Sequence, residues 1–382
     1  MSGITGRRAL VSGCAAGFAF SANYTNHAPM VTVLRGEFGF DQASAGLLTT
    51  AIFLTHALMQ VPGGRLADRF GAWRVITAAL AWVALANFAL AFAGAYWQLL
   101  FCKAFAGIGT GACFAAGARY IVVHFEGRER HIAQGLFGGS IVLGSGFVLF
   151  AVPQLLDAFG WRAACLGCAL VAAAAWAWWM AGAPRYRGTA RSAPALREMA
   201  AHGELWLLGL VQMASFGLMI VAGTWITVLL KTNFRTPLKT AGVMGSMVLL
   251  LGIVSRPAGG WLAQRMRIRT LIQSSLLLNV AACGALGWGR SIALTWAAIV
   301  ALGLGCGLPY AGVFNRAAAL VPGAAGSAMG LVNMVGIVMI LVGAPAVGYL
   351  ADWTGQFQTS FWALGGFTLL AAAVASAIPE RK

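Results

Sequence analysis

QVPGGRLADRFG, running from Gln60 to Gly71, returns in altered form as RPAGGWLAQRM, from Arg256 to Met266, an offset of 196 residues. Each copy closes an apolar run. The same offset carries Gly107, Gly109 and Gly111 onto Gly303, Gly305 and Gly307, and one residue less carries Gly135, Asp157 and Gly160 onto Gly330, Asp352 and Gly355. Three matches in one chain order describe two parallel halves, a repeat typical of paired helical bundles in membranes.

Composition points the same way, with 60% hydrophobic residues and 9% charged ones over 382 residues. A soluble domain carries roughly a quarter charged residues. Apolar segments of the length a helix needs to cross the hydrocarbon core recur between short charged loops. Twelve are expected, over 8–33, 43–66, 73–94, 97–119, 131–156, 161–182, 204–230, 239–264, 269–288, 291–316, 326–351 and 357–378. The fold class is therefore an all-α membrane protein of two pseudo-symmetric six-helix bundles, 1–183 and 204–382, joined by a polar linker over 184–203.

The net charge of +16 does not signal nucleic acid, because the basic residues sort by loop parity. Arg7, Arg8, Arg65, Arg69, Arg74, Arg128, Arg130, Arg185, Arg187, Arg191, Arg197, Arg265, Arg267, Arg269, Arg381 and Lys382 fall on one side. Arg35, Arg162, Lys231, Arg235, Lys239 and Arg290 fall on the other. Positive-inside bias puts both termini, the linker and both repeated loops in the cytoplasm of a bacterial-type inner membrane, with anionic lipid as a partner. The apolar run continues past Cys14, so the first segment reads as an uncleaved helix. The seven cysteines, the pair Cys165 and Cys168 included, lie in apolar segments without His or acid neighbours and read as small packing residues.

GGRLADRFGAWR, Gly63 to Arg74, resembles the loop signature of the major facilitator superfamily nearly residue for residue, and with twelve spans and a half-chain repeat the resemblance covers the whole chain. Gly64 and Gly71 permit a close approach and a tight turn, while Arg65, Arg69 and Arg74 hold that turn among lipid headgroups. The resemblance implies that Asp68 pairs with basic groups and a helix N-terminus of the other half, latching the cytoplasmic side. Its counterpart in the repeat is Gln264, so any charged latch is one-sided. In the fourth segment Lys103-x-x-x-Gly107-x-Gly109 stands where the superfamily has Arg-x-x-x-Gly, and in the fifth Gly135-x-x-x-Gly139-Ser140 lacks the proline of its drug antiporters.

Charge inside a membrane is costly and usually functional. Arg256 sits about nine residues from the cytoplasmic end of its segment, and all ten acids lie in loops or at segment ends. An arginine there invites an anionic ligand, since its planar fork matches two oxygens of a carboxylate or oxyanion. Lys103 is a second cation, placed where a lysine stem can reach toward the outer surface. Gln60 is the repeat partner of Arg256, and His56 lies one turn earlier on the same face. Asn23, Tyr24 and His27 in the first segment, and Tyr310 in the tenth, complete the candidate cavity.

Nitrate and nitrite porters of the superfamily resemble this arrangement but carry arginine on both matching helices, where this chain has Gln60. Monocarboxylate and oxalate/formate transporters carry a basic residue at the position of Arg256; the oxalate exchanger adds a lysine where this chain has Asn333. The resemblance therefore implies a secondary transporter of a small monoanion working by alternating access, with export of a larger amphipathic compound as the rival. Coupling would run through a proton on His56 or His27 or through a counter-anion. No catalytic constellation, cofactor, metal or nucleic acid is expected, and the chain is expected to act as a monomer.

Overall fold

The computed structural model describes residues 3–185 and 196–380. Arg187, Arg191, Arg381, Lys382 and most of the linker lie outside the described residues, as does the side chain of Lys239. Among the described residues, ten helices are long and apolar enough to cross a membrane. One of these, Gly127–Gly182, is two helices joined at Gly160, whose φ of 80° interrupts the helical backbone. A further helix, Ile4–Tyr24, carries Arg7 and Arg8 and completes the expected twelve.

In chain order they are α1 (Ile4–Tyr24), α2 (Ser44–Phe70), α3 (Ala72–Leu90), α4 (Tyr96–His124), α5 (127–159), α6 (161–182), α7 (Gly203–Phe234), α8 (Thr240–Leu262), α9 (Ile268–Trp288), α10 (Ile292–Leu320), α11 (Pro322–Thr354) and α12 (Phe357–Ala377). The Asp41 carboxylate caps the start of α2 by accepting from the Ser44 amide at 2.8 Å, which lowers the pKa of this exposed acid. Gly71, with φ 88°, turns the chain directly from α2 into α3. Gly160 and Gly355, matched in the repeat, both adopt positive φ and make the α5–α6 and α11–α12 turns.

The glycine repeat is a repeat of contacts. A Cβ on Gly107 would lie 2.4 Å from the Ile52 carbonyl of α2, and one on Gly303 would lie 3.1 Å from the matching Val248 carbonyl of α8. Gly109 meets Ala79 of α3 as Gly305 meets Ser275 of α9, each at 3.1 Å from a backbone oxygen. Small residues let these backbones touch where lipid supplies no hydrophobic drive between helices. Packing is thus the observed role of the triplets.

Contacts divide the chain into two compact units that differ from the sequence halves. The first comprises residues 1–130, 140–199 and 318–331; the second comprises 131–139, 200–317 and 332–382. Glycines explain the exchanged segments. Within the first unit, a Cβ on Gly64 would lie 2.3 Å from the Gly326 carbonyl and one on Gly330 would lie 2.3 Å from the Gln60 carbonyl, which binds the start of α11 to α2. Within the second unit the repeat-related pairs are Gly260 with the His131 carbonyl at 2.3 Å and Gly135 with the Arg256 carbonyl at 2.6 Å, which binds the start of α5 to α8.

Candidate functional site

In the second unit Arg256 is 2% exposed. Its Nη1 donates to the Gly138 carbonyl of α5 at 2.8 Å. The guanidinium carbon lies 4.5 Å from the ring centre of Tyr310 and 5.7 Å from that of Phe216. Gly138 has no side chain because the Tyr310 ring occupies that space, 2.3 Å from where a Cβ would sit. A hydrogen bond and two ring faces hold the planar fork in one orientation, a common environment for a desolvated arginine.

Local breaks in helix geometry supply these partners. Phe216 belongs to a π-helical turn, Met213–Gly217, inside α7, a feature frequent at functional sites. Tyr310 restarts α10 after an interruption at Leu308 and Pro309, where proline removes a backbone donor. Asn333 is buried and accepts from Gln212 Nε2 at 3.2 Å, on the turn of α7 that precedes the π-helical segment.

The first unit gathers a separate group. The Tyr24 and His56 rings lie 5.8 Å apart and nearly perpendicular, with Phe53 5.4 Å from Tyr24. His56 Nδ1 shares a 2.9 Å hydrogen bond with Thr110 Oγ1, and Ser145 Oγ donates to the Tyr24 hydroxyl at 3.3 Å. Gln60 is fully buried, and neither atom of its carboxamide has a hydrogen-bond partner within the protein.

Lys103 does not reach outward as its position in the sequence suggested. It is 1% exposed, and its Nζ donates to the Asn23 carbonyl at 3.2 Å and to Asn26 Oδ1 at 2.8 Å. α1 ends at Tyr24, so the ammonium sits at a helix C-terminus, where unsatisfied carbonyls favour a cation. Asn26 passes the network on to Asn87 at 2.8 Å, and His27 Nε2 meets Thr49 Oγ1 at 2.9 Å. His27 and Lys103 line one small cavity with Trp161 and Cys165, and Asn23 stays with this cluster through its carbonyl.

Asp68 is buried in the first unit. One carboxylate oxygen accepts from the Gly326 amide at 3.0 Å and from Arg119 Nε at 2.5 Å. The other accepts from the Ser327 amide at 2.9 Å and its hydroxyl at 2.7 Å. Because the α-helical part of α11 starts at Ala325, these amides lack intrahelical acceptors, and a carboxylate is their natural cap. Asp68 is ion-paired with Arg119. Of the arginines expected around the loop, Arg69 is exposed over the Phe70 ring, Arg74 is exposed and Arg65 is half-buried.

Arg119, Ser327 and Phe216 were not singled out from the sequence. Arg119 carried one usable signal, since Arg316 follows it in the repeat at nearly the same offset.

The description of the Major Facilitator Superfamily matches residues 13–344. A "Probable nitrate/nitrite transporter" of Mycobacterium tuberculosis is 29% identical, covering 81% of this chain and 80% of that protein. A "Probable nitrate/nitrite antiporter" of Thermus thermophilus is 24% identical over 87% and 82% of the two chains, and a "Probable sulfoacetate transporter" of Cupriavidus necator is 26% identical over 90% and 86%. Among solved structures, a human organic anion transporter superposes with a TM-score of 0.80 at 17% identity, covering 98% of this chain and all of that one. A proton:xylose symporter superposes with a TM-score of 0.82 at 12% identity, over 99% and 97%; at these identities the likeness speaks for the fold. With twelve membrane-length helices, an internal repeat of contacts and a match over most of its length, the chain belongs to the Major Facilitator Superfamily.

Proposed function

We propose that this protein is a secondary transporter of a small monoanion, with Arg256 as the anchor for the anion. The carrying observation is a buried guanidinium in α8 whose orientation is fixed by Gly138 and Tyr310. An arginine held in that way meets a planar oxyanion or carboxylate without first having to be ordered. The nitrate/nitrite and sulfoacetate transporters among its relatives support an anionic substrate. With Gln60 where a second arginine would stand, one fixed cation favours a single negative charge.

Tyr310 and Asn333 are proposed as further substrate contacts beside Arg256. Gln60, His56, Tyr24, Asn23, His27 and Lys103 are proposed as the substrate-contacting residues of the first unit. Asp68, with Gly64, Gly71, Arg65, Arg69 and Arg74 around it, is proposed as the conformational latch, and breaking its bonds to the start of α11 as a step of the cycle. The halves 1–183 and 204–382 are proposed as the repeating elements, in an inner membrane with both termini cytoplasmic. A proton or a counter-anion completes the coupling, and the transporter acts as a monomer.

Uptake of nitrate, nitrite, formate, acetate and sulfoacetate into proteoliposomes tests this reading, with Arg256→Ala in parallel. Uptake of at least one anion that falls to background in a folded Arg256→Ala protein is the expected result. Equal uptake by the variant overturns it.

A further inference from the structure

Gln134 of α5 is fully buried, and neither its Nε2 nor its Oε1 has a hydrogen-bond partner within the protein. Buried carboxamides are normally satisfied, so an amide with both ends open marks a place where another group belongs. Its neighbours on α5 are the backbone that holds Arg256. Gly135 packs on the Arg256 carbonyl, and Gly138, one turn further on, accepts from Arg256 Nη1. Residues four apart on a helix lie about 40° apart around its axis, so Gln134 and Gly138 share one side of α5. One turn the other way, His131 is hydrogen-bonded to Asn315 of α10 at 3.1 Å.

We infer that Gln134 is a second anchor for the anion held by Arg256, its Nε2 donating to an anion oxygen while the guanidinium supplies the charge. This inference rests on the proposed anion site and adds a residue to it. The ligand class it implies is an oxyanion or carboxylate with an oxygen to spare beyond those engaged by arginine, in preference to a halide. Glycines at 135, 138 and 139 bring the α5 backbone against α8 and α10, so the Gln134 side chain provides hydrogen-bonding capacity that this stretch of the helix otherwise lacks. The open Oε1 accepts from a water carried with the anion.

Isothermal titration of the purified full-length protein with the sodium salts of nitrate, nitrite, formate, acetate and chloride tests the assignment. Gln134→Met keeps the length and removes the donor, Gln134→Glu keeps the shape and repels an anion, and Arg256→Ala reports on the anchor. The expected result is oxyanion binding lost in Arg256→Ala, weakened about 10- to 100-fold in Gln134→Met, and weaker still in Gln134→Glu. Thermal unfolding without ligand should leave Gln134→Met at least as stable as the wild type, since it removes an unsatisfied amide. Binding lost in Arg256→Ala but within twofold of wild type in Gln134→Met overturns this assignment and leaves the anion site standing. A wild type that binds none of these anions, or binds chloride best, overturns both.

Discussion

Replacing Asp68 by asparagine changes one atom type in a saturated carboxylate, and the geometry sets the consequence. Four donors converge on it, namely the Gly326 amide, the Ser327 amide and hydroxyl, and Arg119. In Asp68→Asn the oxygen facing Gly326 and Arg119 can remain, although its bonds become neutral-acceptor bonds. The other position becomes an NH2 that opposes the Ser327 amide. Losing one charge-assisted bond costs about 1.5–3 kcal/mol, and weakening two more adds about 1 kcal/mol each. The junction of α2 with the start of α11 then loses about 3.5–5 kcal/mol, a shift of roughly 400- to 5,000-fold in its closed-to-open ratio. Hydrogen exchange reads this directly, because the first amides of a helix have no other acceptor. Exchange at Gly326 and Ser327 should quicken by at least 10²-fold, while that in the middle of α11 stays as in the wild type. Anion affinity should hold and turnover should fall. Unchanged exchange at those two amides refutes the reasoning, whatever happens to transport.

Gly64→Ala forces a Cβ to 2.3 Å from the Gly326 carbonyl and should cost about 1–3 kcal/mol in thermal unfolding, whereas Gly366→Ala, with open space around it, should be neutral; equal stability of the two variants counts against the close junction. Lys103→Met leaves the Asn23 carbonyl and Asn26 Oδ1 without their donor and should destabilise the protein by about 2–5 kcal/mol. As a proposed substrate contact, Lys103 should also be needed for full nitrate affinity measured by titration, and unchanged affinity in the folded variant would remove it from the binding site. Gln264→Asp, which restores the acid of the first repeat, should leave turnover and exchange at His131 and Ile132 within twofold of wild type; slowed turnover would show a second latch.

Much of this architecture is written in what is missing from side chains. A glycine that recurs at a fixed offset is visible in a sequence, and several matched pairs proved to be one backbone contact made twice, as with Gly107 against Ile52 and Gly303 against Val248. The burial of Arg256 was legible because it lies deep inside an apolar run. Lys103 was misread in its direction. Its partners come from the end of α1 and the turn that follows it, and no spacing rule places Asn23 and Asn26 beside a lysine about eighty residues away. Gln134 was not singled out at all, since one amide in an apolar helix carries no periodic signal and only its open hydrogen-bonding groups distinguish it. The π-helical turn that presents Phe216 escaped for a related reason, because one extra residue in a turn changes no composition.

The two repeat-related junctions share their glycines but not their chemistry, and the starting points of two helices explain why. Gly64 on Gly326 and Gly260 on His131 are equivalent contacts. The 3₁₀ turn Pro322–Ala324 delays α-helical backbone in α11 until Ala325, which leaves the amides of Gly326 and Ser327 open for a carboxylate. α5 starts at Gly127, so the equivalent amides of His131 and Ile132 already lie a full turn inside their helix, where carbonyls four residues back are available. An acid at position 264 would find no such donors, which fits the presence of Gln264 there. Position 264 thus places no carboxylate at the second junction, whose polar groups are Gly138 and Arg256, with Gln134 alongside, the residues proposed above to bind an anion. One copy of the repeat holds a buried carboxylate and the other a buried cation, so the internal symmetry that builds the fold is broken at the two places proposed above as the latch and the anion site.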